Sequence, residues 1–97
     1  MKADELKVKI MTPGEVLYNG PALAVSSANS QGKFDIIPQH ANYITIVENQ
    51  PVTLTKLDHT KQSFNFSQAI IYHYNNQITI YADPKSANLS MSGQARS

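Results

Sequence analysis

Ala69-Ile70-Ile71-Tyr72-His73-Tyr74-Asn75-Asn76-Gln77-Ile78-Thr79-Ile80-Tyr81-Ala82 is the stretch that decides the fold class. Two runs rich in β-branched and aromatic residues, the side chains best suited to a pleated surface, flank a short polar break. Asparagine tolerates left-handed backbone better than most residues, so the pattern predicts a hairpin turning at Asn75-Asn76-Gln77. Tyr72 and Tyr74 share a face with Ile70, and packing of that face against a second sheet is the expectation.

Upstream, Ser63-Phe64-Asn65-Phe66-Ser67 places both phenylalanines on one face as core residues, and Val52 to Leu57 alternates before it. The hydrophilic segment Leu57 to Gln62 reads as the tip joining them, and Glu48-Asn49-Gln50-Pro51 as a turn. At the other end of the chain, Leu6-Lys7-Val8-Lys9-Ile10 alternates apolar and charged residues, the period of a strand with one wet face, and Thr12-Pro13-Gly14-Glu15 breaks it. Asn19-Gly20-Pro21 reads either as a tight turn or as a bulge or bend within one long edge strand, because Pro21 cannot donate to a ladder. Ser26 to Gln31 reads as a polar loop. Short strands, frequent turn signals and no strong amphipathic helix predict an all-β fold: a two-sheet β-sandwich of short, mostly antiparallel strands. Residues 1–84 are expected to form that domain, and residues 85–97 a flexible polar tail.

The 97-residue length suits one domain, and a net charge of +1 with scattered basic residues argues against a nucleic-acid surface. There is no cysteine, hence no thiol redox chemistry and no disulfide frame. No apolar run is long enough to cross a bilayer as a helix.

Catalytic patterns are weak. His40, His59 and His73 lack the spacing of a zinc site, and Ser26, Ser27 and Ser30 lack the sharply turned setting of a nucleophile. Asp35, Glu48, Asp58 and Asp83 are too scattered to pair as acid and base, and the isolated glycines open no phosphate-binding helix. The expectation is no catalytic residue, no metal and no cofactor. Tyr72, Tyr74 and Tyr81 could form a stacking platform, which keeps a carbohydrate- or peptide-binding sandwich as the alternative function.

The segment that stands apart is Gln31 to Tyr43. Phe34-Asp35-Ile36-Ile37 forms a strand stopped by Pro38, and Tyr43 to Val47 starts the next, so the link is only Pro38 to Asn42. That proline-stiffened knuckle holds Gln39, His40 and Asn42 at a tip, and polar groups on a rigid loop bind a partner at a lower ordering cost than on a mobile one.

On these residues the chain resembles the N-terminal β-sandwich domain of the epsilon subunit of F-type ATP synthases, called delta in mitochondria. The family carries a segment of the form glycine, acidic, Phe or Leu, glycine, Ile, Leu, proline, Gly or Asn, His, small or acidic, proline. Here it stands as Gly32-Lys33-Phe34-Asp35-Ile36-Ile37-Pro38-Gln39-His40-Ala41-Asn42, with Lys33 for the acidic residue, Asp35 for a glycine and Asn42 for a proline. Leu6 to Pro13, Leu17-Tyr18-Asn19-Gly20 and Asn76 to Asp83 are similar to the family's first strand, its bend and its closing strand.

The resemblance implies a non-catalytic rotor subunit wedged between the gamma subunit and the c-ring, peripheral to the cytoplasmic face of a bacterial inner membrane and bound there only through the complex. It implies ring contact for Lys33, Asp35, Gln39, His40 and Asn42, and a gamma-facing side near Tyr43 and Thr45. Typical members continue into a C-terminal pair of regulatory helices; here the sequence from Lys85 onward is short and polar, and the inhibitory function is not expected.

Overall fold

The computed structural model describes residues 5–83. Nine strands fill that span: β1 (Leu6–Thr12), β2 (Glu15–Ala22), β3 (Ala24–Asn29), β4 (Gly32–Ile36), β5 (Tyr43–Glu48), β6 (Pro51–Thr55), β7 (Lys61–Asn65), β8 (Gln68–Tyr74) and β9 (Gln77–Ala82). They form a five-stranded sheet in the order β2-β1-β9-β8-β5 and a four-stranded sheet in the order β4-β3-β6-β7. Every pairing is antiparallel except that of β1 with β9. The sandwich expected from the sequence is the fold.

The alternation of β1 drives it. Leu6, Val8 and Ile10 are fully buried while Lys7 and Lys9 face water, so one side of the strand must be covered by a second layer. Ile71, Ile78 and Ile80 join them from the same sheet, and Val25, Ile36, Val52 and Leu54 from the other. Phe66 is buried, and Phe64 lies half-buried against it with the rings stacked at 6.2 Å. The proline question in β2 resolves toward one long edge strand that runs through Asn19-Gly20-Pro21. The bulge sits earlier: Ile10 pairs with Tyr18 and Met11 with Val16, leaving Leu17 as the extra residue.

Two expectations are corrected. Ser26 and Ser27 belong to β3 and not to a loop; only Ser30 and Gln31 turn. Both serines have hydrogen-bond partners, Asp35 for Ser26 and the Pro51 carbonyl for Ser27, so their hydroxyls are satisfied within the sheet. In β8, Ile70, Tyr72 and Tyr74 face outward, each at least 40% exposed, whereas Ala69, Ile71 and His73 face the core. The hairpin register decides this. Ile71 lies opposite Ile80 and His73 opposite Ile78, so the inward isoleucines of β9 carry the alternate set of β8 in with them. The turn that fixes the register has left-handed φ at Asn75 (50°) and Asn76 (63°), as a two-residue hairpin of this hand requires.

At the tip between β6 and β7, Asp58 accepts from the Thr60 hydroxyl at 2.6 Å and from the Thr60 N–H at 3.0 Å, which holds its carboxyl below the usual aspartate range. The domain boundary at Pro84 and the polar tail of residues 85–97 lie outside the described residues.

Candidate functional site: the knuckle after β4

Pro38 ends β4, and the chain reverses at once. The His40 N–H donates to the Ile37 carbonyl at 3.0 Å, closing a turn whose third residue, Gln39, has φ 68°. Proline at the second position with left-handed backbone at the third is the signature of a type II turn. This gives a physical reason for the glycine or asparagine that the resembled segment carries where Gln39 stands.

The knuckle is laced to the turn of the β8–β9 hairpin. The Gln39 N–H donates to Asn76 Oδ1 at 2.6 Å, and the Asn75 N–H donates to Asn42 Oδ1 at 3.1 Å. The Ala41 carbonyl receives two imidazoles, His40 Nδ1 at 2.7 Å and His73 Nδ1 at 3.1 Å. A carbonyl only accepts, so both histidines carry their proton on Nδ1. His73 is buried at 1% exposure, and its Nε2 has no partner among the described residues. The rings of His40 and His73 meet edge to face at 5.8 Å, and His40 and Tyr43 at 5.7 Å. The six loop residues between β4 and β5, Ile37 to Asn42, thus hold a fixed shape through backbone and side-chain bonds, several of them to a neighbouring rigid turn.

The structure divides the residues expected at the interface into three groups. Gln39, His40 and Asn42 lie together on the knuckle, with Gln39 and Asn42 exposed and His40 half-buried. Lys33 and Asp35 project from β4 onto the outer face of the four-stranded sheet, where Ser26 donates to Asp35. Tyr43 and Thr45 turn inward: Asn29 Nδ2 donates to the Tyr43 hydroxyl at 2.9 Å and to Thr45 Oγ1 at 2.8 Å, tying β3 to β5 across the sandwich. Their neighbours Ile44 and Ile46, 63% and 53% exposed, are presented to solvent by β5 together with Glu48.

Sequence reasoning passed over these isoleucines, although strict alternation from the buried Val47 would have placed them. It also missed the outer face of the five-stranded sheet as an apolar row. Val16, Met11, Tyr81, Ile70 and Ile46 are consecutive partners across all five strands. No group of three or more His, Cys, Asp or Glu side chains gathers into a metal-binding cluster among the described residues.

The family model described as ATP synthase, Delta/Epsilon chain, beta-sandwich domain matches residues 5–86. The chain belongs to this family. Among relatives of the delta/epsilon family, the ATP synthase epsilon chain of Sulfurimonas denitrificans is 31% identical over 67 residues, covering 69% of this chain and 52% of its own. That of Clostridium botulinum is 31% identical over 81 residues, covering 84% and 60%. The chain thus spans between half and about three-fifths of the length of these delta/epsilon relatives.

The fold recurs in solved ATP synthases. A cryo-EM structure of the Euglena gracilis mitochondrial enzyme contains a chain with TM-score 0.76 at 10% identity, covering 81% of this chain and 51% of that one. The Tetrahymena thermophila central stalk and c-ring structure gives 0.67 at 12% identity, covering 97% and 78%. At such identities the likeness shows the fold alone.

Proposed function

We propose that this chain is a non-catalytic central-stalk subunit of an F-type ATP synthase, in which the sandwich links the gamma subunit to the c-ring. The observation that carries the reading is the laced knuckle. Bonds from Gln39, Ala41 and Asn42 to the β8–β9 hairpin fix its shape before any partner arrives, so docking there loses little conformational entropy. In this reading Gln39, His40 and Asn42 meet the polar loops of the ring, with Lys33 and Asp35 at the margin. Tyr43 and Thr45 act on the gamma side through the backbone they position. The protein does no chemistry of its own. It keeps ring and gamma turning together at the cytoplasmic face of a bacterial membrane, held there by the complex and by no cofactor.

Co-purification of the tagged chain with gamma and the c-ring is the test. Recovery of both partners is expected, with loss of the ring on combining His40→Ala and Asn42→Ala; recovery of neither by the unsubstituted protein sinks the reading. The outward exposure of Tyr72, Tyr74 and Tyr81 favours one competitor, a carbohydrate- or peptide-binding sandwich. A glycan or peptide ligand lost on Tyr72→Ala, without any gamma association, would establish that competitor.

A further inference from the structure

Among the described residues the two sheets have four edge strands, β2 and β5 in one and β4 and β7 in the other. An edge strand offers unpaired N–H and C=O groups to any extended chain, and folded proteins protect such edges with proline, bulges, charge or short length. Three of the four are protected in these ways. The β2 edge carries Pro21, Gly20 and the bulge at Leu17. The β4 edge is five residues long and bears Lys33 and Asp35, and the β7 edge exposes Lys61, Ser63 and Asn65. Against these, β5 reads Tyr-Ile-Thr-Ile-Val-Glu, with no proline, glycine or lysine; its register with β8 has no break, and it pairs with β8 alone among the described strands. Its outward side chains are Ile44 and Ile46, more than half exposed, and at its far end the single charge of Glu48.

We infer that the unprotected edge of β5 is an interface that receives an extended strand of the gamma subunit, which becomes a sixth strand of the five-stranded sheet. The inference rests on the stalk reading for the identity of the partner; the edge itself dictates the partner's conformation. Backbone groups spaced along a strand are matched only by another strand, and Ile44 and Ile46 call for apolar residues at alternate positions of the incoming chain. Glu48 is the one formally charged residue of β5, so a basic residue at that end of the incoming strand completes the match. Tyr43 follows directly on the knuckle. A chain running along β5 therefore abuts the ring-facing tip, where the stalk reading needs gamma and ring to be neighbours.

Hydrogen–deuterium exchange of the chain, free and in complex with its cognate gamma subunit, tests this. The alternate β5 amides that point away from β8 should exchange rapidly in the free protein and at least roughly tenfold more slowly in the complex. Ile46→Lys, at a site open enough to tolerate it, should weaken gamma binding by roughly tenfold, while Tyr81→Lys, two strands away, should change it little. Gamma binding without added protection of β5, or a larger loss from Tyr81→Lys than from Ile46→Lys, would overturn the edge pairing and leave the stalk reading standing. Absence of gamma binding would end both.

Discussion

Gln39 occupies left-handed backbone at φ 68°, a conformation in which an L side chain costs about 1–2 kcal/mol relative to glycine. Its N–H reaches Asn76 Oδ1 only because the turn takes that shape. Gln39→Gly should therefore stabilise the domain by about 1 kcal/mol, after allowing for the added freedom of glycine in the unfolded chain. Thermal unfolding should rise by roughly 4–8 °C, measured by circular dichroism. An unchanged or lowered midpoint would mean that Gln39 holds the turn through more than its backbone.

Among the elements, β8 shows where periodicity is informative and where it is silent. Both of its faces are apolar, Ile70, Tyr72 and Tyr74 against Ala69, Ile71 and His73, so alternation alone cannot say which side is buried. The register with β9 and its two-asparagine turn makes the choice. Ile71→Ala should cost about 2–5 kcal/mol of stability in denaturant titration, and Ile70→Ala less than about 1 kcal/mol. Reversal of that order would invert the assigned faces. The hairpin itself was legible in the sequence because the turn asparagines and both β-rich runs are contiguous. The lacing of the knuckle was not: Asn76 is 37 residues from Gln39 and Asn42 is 33 from Asn75, and no local signal announces such a bond. For Tyr43 and Thr45 the resemblance implies nearness to a partner, and the side-chain direction comes from the parity set by Val47, which turns both hydroxyls toward Asn29.

On the scale of the whole molecule, the sandwich is closed at one margin by Asn29, whose amide donates to residues of the opposite sheet. Asn29→Ala leaves the Tyr43 and Thr45 hydroxyls without that donor in a half-buried site and should cost about 1–2 kcal/mol. Unfolding should remain a single transition by both fluorescence and circular dichroism, because the two sheets share one core. Separate transitions by the two probes would show that the layers unfold independently.

The parallel pairing of β1 with β9 has a consequence for biosynthesis. The last of the described strands to leave the ribosome is the middle one of the five-stranded sheet, and until it arrives β1 and β8 have no common neighbour. The larger sheet cannot close co-translationally strand by strand. It waits for the segment Gln77–Ala82, and the high contact order that results makes folding slow relative to a meander of the same size.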